Sequence, residues 1–183
     1  GFALSAAAGL PNTSDAHVLH GIETREGYLW AACVAAVWAS ATALLEAWPV
    51  LGERLFYEGT SFGGGVGALA LPWDPRFKRA SLTVPTFGHH PLRLGCPCCG
   101  SGESVRRYHR DHPGVTQVLS SYDAASAARH IQIPVYCAPA LFDPAVPPPG
   151  QFAVANALPS PHARRFIKSA GHHDHPSLMP ELL

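Results

Sequence analysis

The sequence has no excess of charge of either sign. Its 183 residues include 13 Lys and Arg against 13 Asp and Glu, and charged residues make up only 14%. A neutral chain has no electrostatic field that would steer it to nucleic acid, so we expect no nucleic-acid partner. The chain also lacks a positively charged leader followed by an apolar core, and it has no uninterrupted run of about 18 apolar residues. The sequence therefore predicts neither a signal peptide nor a membrane span.

A paired disulfide framework is also missing. The chain has five cysteines, an odd number that cannot all pair within one molecule. Cys33 and Cys137 lie inside apolar runs, which is typical of small buried side chains in a reducing compartment. These features predict a cytoplasmic location.

The residues from Gly59 to Gly63 have the sequence Gly-Thr-Ser-Phe-Gly, which fits the G-x-S-x-G pattern of a nucleophile elbow. In such an elbow, a sharp turn between a strand and a helix exposes a serine hydroxyl. Residues 54–58 predict the strand, and residues 66–71 can continue the helix until Pro72 ends it. The same pattern also arises by chance in a glycine-rich turn, so the motif alone leaves a structural role for Ser61 open.

Two residues downstream stand in the order that a Ser, Asp, His triad of the α/β-hydrolase type requires. The apolar run 133–142 predicts a strand that leads directly to Asp143. Residues 164–169 predict a last strand, and His172 lies in the loop that follows it. We therefore predict that Ser61 is the nucleophile, Asp143 the acid and His172 the base, with His172 preferred to its neighbour His173.

The reaction that this set predicts is attack of the Ser61 hydroxyl on an ester carbonyl, with the imidazole of His172 taking the serine proton. The resulting oxyanion needs fixed hydrogen-bond donors. The backbone N–H of Phe62, the residue after the nucleophile, is predicted to be one of them. The second donor of this fold comes from the loop after an early strand, and no residues ahead of Ser61 predict that strand.

Elsewhere the sequence alternates between helical and strand patterns. This alternation predicts an α/β fold with a mostly parallel sheet and flanking helices. We expect a single domain over residues 1–183. We expect a strand over residues 80–85 and a helix near residues 151–158, with Asp123 as a helix N-cap. Arg164, Arg165 and Lys168 are predicted to lie on a solvated strand edge. A long helix should begin at Thr24, end before Pro49 and bury one face made of Leu29, Cys33, Ala36, Val37, Ser40, Leu44 and Ala47.

Four segments of the chain resemble the acetyl xylan esterase and cephalosporin C deacetylase family of α/β-hydrolases. They are residues 1–5 (GFALS), 17–23 (HVLHGIE), 59–64 (GTSFGG) and 141–148 (LFDPAVPP), the last of these followed by Ala170-Gly171-His172. The resemblance implies that Ser61, Asp143 and His172 are nucleophile, acid and base, and that no cofactor takes part. It also implies that the substrates are acetyl esters of sugars or related small alcohols, and that the protein is a homo-oligomer.

The sequence departs from this family at three points. Phe62 stands where the family carries Gln, and His173 precedes the acidic Asp174 that the family places soon after its catalytic histidine. Family members also carry their first strands and an oxyanion tyrosine in an N-terminal portion, so the resemblance implies that this chain is the C-terminal part of such a fold. A non-catalytic hydrolase-like remnant or assembly subunit is therefore the alternative to an esterase.

A second group of residues has the side-chain types of a zinc site. Cys96, Cys98 and Cys99 lie within a short distance along the chain of four histidines, His89, His90, His109 and His112. The cysteines follow a C-x-C-C pattern, however, and not the C-x2-C pairing of zinc sites. We expect no bound metal and interpret residues 88–126 as an insertion that caps the active site.

Overall fold

The computed structural model describes residues 9–52 and 54–173, which form one four-stranded sheet with flanking helices. The strands are β1 (Phe56–Thr60), β2 (Arg79–Thr83), β3 (Val135–Ala138) and β4 (Ala163–Arg165). The α-helices are α1 (Ser14–His17), α2 (Leu29–Ala47), α3 (Phe62–Ala70), α4 (His90–Arg93), α5 (Gly102–Asp111), α6 (Thr116–Ser120), α7 (Ala124–Ala128) and α8 (Pro148–Ala157). Short 3₁₀ turns cover Pro49–Leu51, Leu71–Trp73 and Pro113–Val115.

All four strands are parallel, and their order in the sheet is the same as their order in the chain. The sequence prediction of a parallel α/β sheet is confirmed. Beyond the regular strands, an isolated parallel bridge joins Ala140 to Lys168. Because the strands run in one direction, the residues that follow β1, β3 and β4 meet at the same edge of the sheet. Ser61, Asp143 and His172 lie in these segments.

One face of the sheet carries the main hydrophobic core. Ala80, Leu82, Val135 and Cys137 are all buried there, and they pack with residues of α3, α7 and α8. Residues of the opposite pleat, which alternate with these, are exposed at Phe56, Glu58, Arg79 and Arg164. The burial of apolar side chains thus fixes the register of the strands, since a one-residue slip would bring these exposed side chains into the core.

The long helix α2 differs from its prediction in both its start and its buried face. Thr24 begins a turn, with its hydroxyl accepting a hydrogen bond from the Gly27 N–H at 3.1 Å, and the helix begins only at Leu29. Its buried residues are Leu29, Trp30 and Ala41, whereas Ala36, Ser40, Leu44 and Ala47 of the predicted face are exposed. The helix is apolar on all sides, so the spacing of its apolar residues did not identify the side that packs against the protein.

By length and composition alone, α2 is also apolar enough to cross a membrane, with a mean hydropathy of 1.6. Only 22% of its most apolar window is buried in this structure. The helix is nevertheless attached to the domain by polar contacts, because the Trp38 indole N–H donates to the Ala70 carbonyl at 3.0 Å and the Arg76 guanidinium donates to the Trp38 carbonyl at 2.9 Å. These bonds hold α2 against the end of α3.

The prediction of a solvated edge for the basic residues near the last strand is correct for Arg164 and Arg165, which are both exposed, and wrong for Lys168, which is 2% exposed. The Arg165 side chain donates to the carbonyl of Ala155 at 2.6 Å and to that of Leu158 at 2.9 Å. Arg165 therefore ties β4 to the C-terminal end of α8 while it remains in contact with solvent.

The segment between β2 and β3 contains four helices, α4 to α7, and forms much of a second apolar cluster with α2. Asp123 caps α7 as predicted, with Oδ1 accepting hydrogen bonds from the N–H groups of Ala125 and Ser126, both at 2.9 Å. The same carboxylate also accepts the N–H groups of His89 and His90, at 3.1 and 2.8 Å. Asp123 thus fixes the beginning of two helices at once.

Candidate active site

Ser61 lies on a strained turn between β1 and α3. Its backbone angles are φ 56° and ψ −114°, a combination that residues with a side chain rarely adopt. Three hydrogen bonds hold it there: the Ser61 N–H donates to the Thr83 carbonyl at 2.8 Å, and the Ser61 carbonyl accepts the N–H groups of Gly65 and Thr86, both at 3.1 Å. The serine is therefore held in place by β2 and by the loop that follows it.

Small residues around Ser61 let the strand and the helix approach each other. A Cβ atom at Gly59 would lie 2.5 Å from both the backbone carbon and the carbonyl oxygen of Gly63, closer than any real contact. The Gly63 carbonyl cannot move aside freely, because it accepts a hydrogen bond from the Tyr57 hydroxyl at 2.7 Å. The close approach at Gly59 is the steric requirement that the G-x-S-x-G pattern predicts.

Asp143 follows β3 at the same edge of the sheet, and its side chain is completely buried. Its Oδ1 atom accepts the N–H groups of Ala145 at 2.8 Å and Val146 at 2.9 Å, which closes a tight turn. Its Oδ2 atom accepts hydrogen bonds from Gln151 Nε2 and His172 Nδ1, both at 2.8 Å. The buried carboxylate thus has four N–H donors.

His172 lies in the loop after β4, with a side chain that is 20% exposed. Its Nδ1 faces Asp143, so the proton on Nδ1 is donated to the carboxylate and the neutral ring carries its free lone pair on Nε2. The neighbouring His173 is exposed, and its ring contacts that of His172 at a centroid distance of 5.5 Å. Of these two histidines, His172 is the one that the structure joins to the acid.

The structure brings the predicted acid and base into contact, but it does not join the serine to them directly. Within the described residues, no hydrogen bond connects Ser61 to His172. Ser61 lies at the end of β1, which is separated from β3 by β2. In proteins without bound substrate, catalytic hydrogen bonds are often long and shorten only in the complex.

Phe62 is the first residue of α3, so its N–H has no acceptor within the helix. The dipole of the helix adds partial positive charge at this end. The Phe62 ring packs against Trp30 at a centroid distance of 4.7 Å and against His17 at 6.0 Å. The replacement of the family's Gln by Phe therefore changes the wall beside Ser61 without removing the backbone donor.

The segment between β2 and β3 contacts the loop that carries Asp143. The Cys99 N–H donates to the Pro144 carbonyl at 2.8 Å, and a Cβ atom at Gly100 would lie 2.4 Å from the Ala145 carbonyl oxygen. Backbone contacts at Cys99 and Gly100 therefore join this segment to the loop that carries Asp143. The described part of the chain contains no group of three His, Cys, Asp or Glu residues that could hold a metal.

The loop after β2 contains backbone strain that the sequence did not signal. Val84, Phe87 and His89 have positive φ values of 41°, 57° and 53°. All three residue types disfavour this conformation, and for β-branched Val84 it is a clear outlier. The strain lies directly beside Ser61, because Thr86 in the same loop donates to the Ser61 carbonyl.

A buried basic pair lies just beyond this loop. Arg93 is 2% exposed and lies over the Phe87 ring at 4.7 Å from its centroid. Burial, together with the charge of Arg93, lowers the pKa of His90 to about 4, so His90 is neutral at physiological pH. Its Nε2 can then donate to the Tyr122 carbonyl, 3.2 Å away. Sequence analysis treated His90 as a candidate metal ligand, and the structure shows it inside the packing of the segment.

The fold is that of an α/β-hydrolase: four parallel strands, a nucleophile elbow after one and an Asp–His pair after two others. The family model described as acetyl xylan esterase (AXE1) matches residues 5–181. The chain belongs to this acetyl xylan esterase family.

Individual relatives show the same likeness over part of their length. The acetyl esterase Axe7A of Xylanibacter ruminicola is 25% identical over 149 residues, which make up 79% of this chain and 33% of that protein. The acetyl xylan esterase from Paenibacillus sp. R4 is 26% identical, with a TM-score of 0.73 over 86% of this chain and 52% of that one. Acetyl xylan esterase 1 from Thermoanaerobacterium sp. is 21% identical, with a TM-score of 0.74 over 92% of this chain and 56% of that one. The chain thus spans about half the length of the two solved relatives and about a third of the length of Axe7A.

Proposed function

We propose that this chain carries the catalytic residues of a serine esterase that removes acetyl groups from sugar or other small-alcohol esters. The observation that carries the proposal is the 2.8 Å hydrogen bond between Asp143 and His172, formed at the sheet edge where the strained Ser61 also lies. The names of the relatives, acetyl esterase and acetyl xylan esterase, support an acetyl group as the group that is removed.

In the proposed reaction, Ser61 Oγ attacks the carbonyl carbon of the acetyl ester while His172 Nε2 takes the serine proton. Asp143 accepts a hydrogen bond from the Nδ1–H throughout and stabilises the imidazolium that forms. The Phe62 N–H binds the oxyanion of the tetrahedral intermediate. His172 then protonates the departing alcohol. In the second half of the reaction, the same imidazole takes a proton from water as the water attacks the acetyl-enzyme. The imidazolium returns that proton to Ser61 Oγ as acetate leaves.

The strain at Ser61 favours this function over that of a non-catalytic remnant. Glycine would adopt φ 56° and ψ −114° with little difficulty, whereas serine is held there at a cost of about 1 to 3 kcal/mol. A protein that used this turn only for packing would gain stability from glycine at position 61. A catalytic role of the hydroxyl would explain why serine, and not glycine, stands in this conformation.

The base can be identified by comparing two adjacent alanine variants. We expect His172→Ala to lower kcat for p-nitrophenyl acetate by about 10³-fold or more, because it removes the imidazole that is proposed to take the Ser61 proton. His173→Ala should stay within about threefold of the parent, because the exposed His173 ring is not bonded to Asp143. The reverse ranking would assign the base to His173. Acetate release from acetylated xylan, measured with the same two variants, tests the sugar substrate.

We also propose that the chain self-associates through the side of the sheet formed by β1. Among the described residues, β1 pairs only with β2, so its outer edge has unpaired backbone groups. A groove of about 360 Å³ runs between α2 and β1, and the exposed side chains of Leu44 and Phe56 line it. Trp48 and Val50 are also exposed, at the end of α2 and in the turn that follows it. Apolar patches of this kind are typical of protein contacts.

Light scattering measures this association. The parent chain should show a mass above 19.4 kDa, and Phe56→Lys should shift it toward the monomer by placing a charge in the contact. Leu92→Lys is the matched control, since Leu92 is 45% exposed on α4, away from β1. A monomeric parent chain would exclude the contact. The cytoplasmic location and the absence of membrane and nucleic-acid partners stay predictions of the sequence.

A further inference from the structure

Gln151 is a completely buried polar residue in α8 that sequence analysis did not single out. Its amide makes three hydrogen bonds. Nε2 donates to Asp143 Oδ2 at 2.8 Å and to the Val146 carbonyl at 2.6 Å, and Oε1 accepts the Ala140 N–H at 2.8 Å. The amide thus joins the end of β3, the acid loop and α8.

The bond to Asp143 has a particular geometry. Oδ2 is the carboxylate oxygen that accepts the imidazole N–H of His172, and Gln151 Nε2 donates to the same atom. The two amide hydrogens of Gln151 are both used, one on Oδ2 and one on the Val146 carbonyl, so the amide cannot turn away. Oδ1 is bound separately by the Ala145 and Val146 N–H groups. Each carboxylate oxygen therefore has its own pair of donors, and rotation of the carboxylate would break all four bonds.

On the basis of the proposed roles of Asp143 and His172, we propose that Gln151 is a positioning residue that sets the orientation of the acid toward His172. Its orienting effect comes from the bond to Oδ2, which leaves only one lone-pair direction on that atom for His172.

Glutamine suits this position because the site needs two donors and one acceptor on a single side chain. Glutamate would offer the acceptor for the Ala140 N–H but place a second carboxylate against Asp143. Asparagine is one methylene shorter and would not reach Oδ2 from α8. Methionine has nearly the length of glutamine and keeps its volume, but it has no donor, so Gln151→Met removes the hydrogen bonds with little change in packing.

The experiment is proton NMR of the His172 Nδ1–H that is bonded to Asp143, which requires no turnover. This resonance is assigned as the one absent from the His172→Gln variant. In Gln151→Met we expect it to disappear through exchange with water, because the carboxylate is no longer held in the orientation that accepts the bond from Nδ1. Gln117→Met is the matched control, since Gln117 is exposed on α6.

A second control separates this effect from a general loss of stability. Leu119→Ala removes a fully buried side chain of α6 and should lower the midpoint of unfolding without removing the Nδ1–H resonance of His172. An Nδ1–H resonance that is unchanged in Gln151→Met, or lost equally in Leu119→Ala, would overturn the assignment.

NMR of the Gln151 side-chain amide in the unmodified protein gives an independent test that does not depend on how a Gln151 variant folds. The Nε2 protons of Gln151 should exchange slowly with water, because the side chain is buried and both protons are bonded. Their chemical shifts should also differ between the unmodified protein and His172→Gln, through the Asp143 oxygen that the two residues share. Identical shifts in these two proteins would overturn the inference. Failure of the Ser61 or His172 variants to affect esterase activity would instead overturn the proposed function, and these NMR results would be unaffected.

Discussion

Replacing Ser61 with alanine will lower the turnover of p-nitrophenyl acetate by at least about 10³-fold. Alanine removes the hydroxyl that forms the acetyl-enzyme and keeps the backbone N–H of Phe62, so the remaining activity reports the oxyanion donor and substrate binding alone. Hydrolysis is measured from the release of p-nitrophenol, with acetate release as a second measure. Ser126→Ala is the control, because Ser126 is an exposed serine in α7, outside the site. Equal turnover in Ser61→Ala and the parent chain would exclude the esterase mechanism.

A covalent probe extends the same test to a chain with slow turnover. A fluorophosphonate reacts with a serine hydroxyl only where that hydroxyl is activated by a base. We expect one adduct per parent chain, located at Ser61 by mass spectrometry, and none in Ser61→Ala. Modification of another serine at the same rate would show that the elbow serine is not the activated one.

The second large effect is expected at Gly59. In Gly59→Ala the added Cβ would meet the Gly63 backbone at 2.5 Å, and the hydrogen bond from Tyr57 restricts the movement that could relieve the clash. We expect a loss of about 3 kcal/mol in the free energy of unfolding, measured by urea denaturation. Activity should fall as well, since the strand and helix on either side of Ser61 would have to separate.

Gly52→Ala is the matched control for this prediction. Gly52 has a right-handed helical conformation, and an added Cβ would meet its nearest neighbour, the Pro49 carbonyl oxygen, at an ordinary 3.6 Å. Its stability should stay within about 0.5 kcal/mol of the parent. A Gly59→Ala protein as stable as Gly52→Ala would show that the elbow tolerates a side chain and that the close approach is not required.

The parts of the fold that the sequence predicted correctly are those governed by local rules. The turn at Ser61, the cap at Asp123 and the proline-led helix α8 each depend on residues within a few positions of one another. Strand positions were right to within a few residues. β1 begins two residues later than expected, and β3 is much shorter than the apolar run that contains it.

The errors arise where tertiary contacts decide. Because α2 is apolar all round, no pattern within it could show which side faces the core. Lys168 is cationic in a strand pattern, which favours solvent, yet it is 2% exposed. The role of Gln151 was not predicted for the same reason, because a buried glutamine can be recognised only from its hydrogen-bond partners in the folded protein. The strain at Val84 could not be predicted from the sequence, because valine disfavours a positive φ.

The small size of β4 has a consequence for how this molecule would lose function on heating. The strand is three residues long and lies at the edge of the sheet, and the loop with His172 depends on it for its position. Edge segments of this kind open in local fluctuations that require far less free energy than global unfolding. Such an opening would move His172 away from Asp143 while the core around β2 and β3 stays intact. Thermal inactivation would then begin as a reversible detachment of the base, at temperatures where the protein still gives the circular dichroism and fluorescence of its native state.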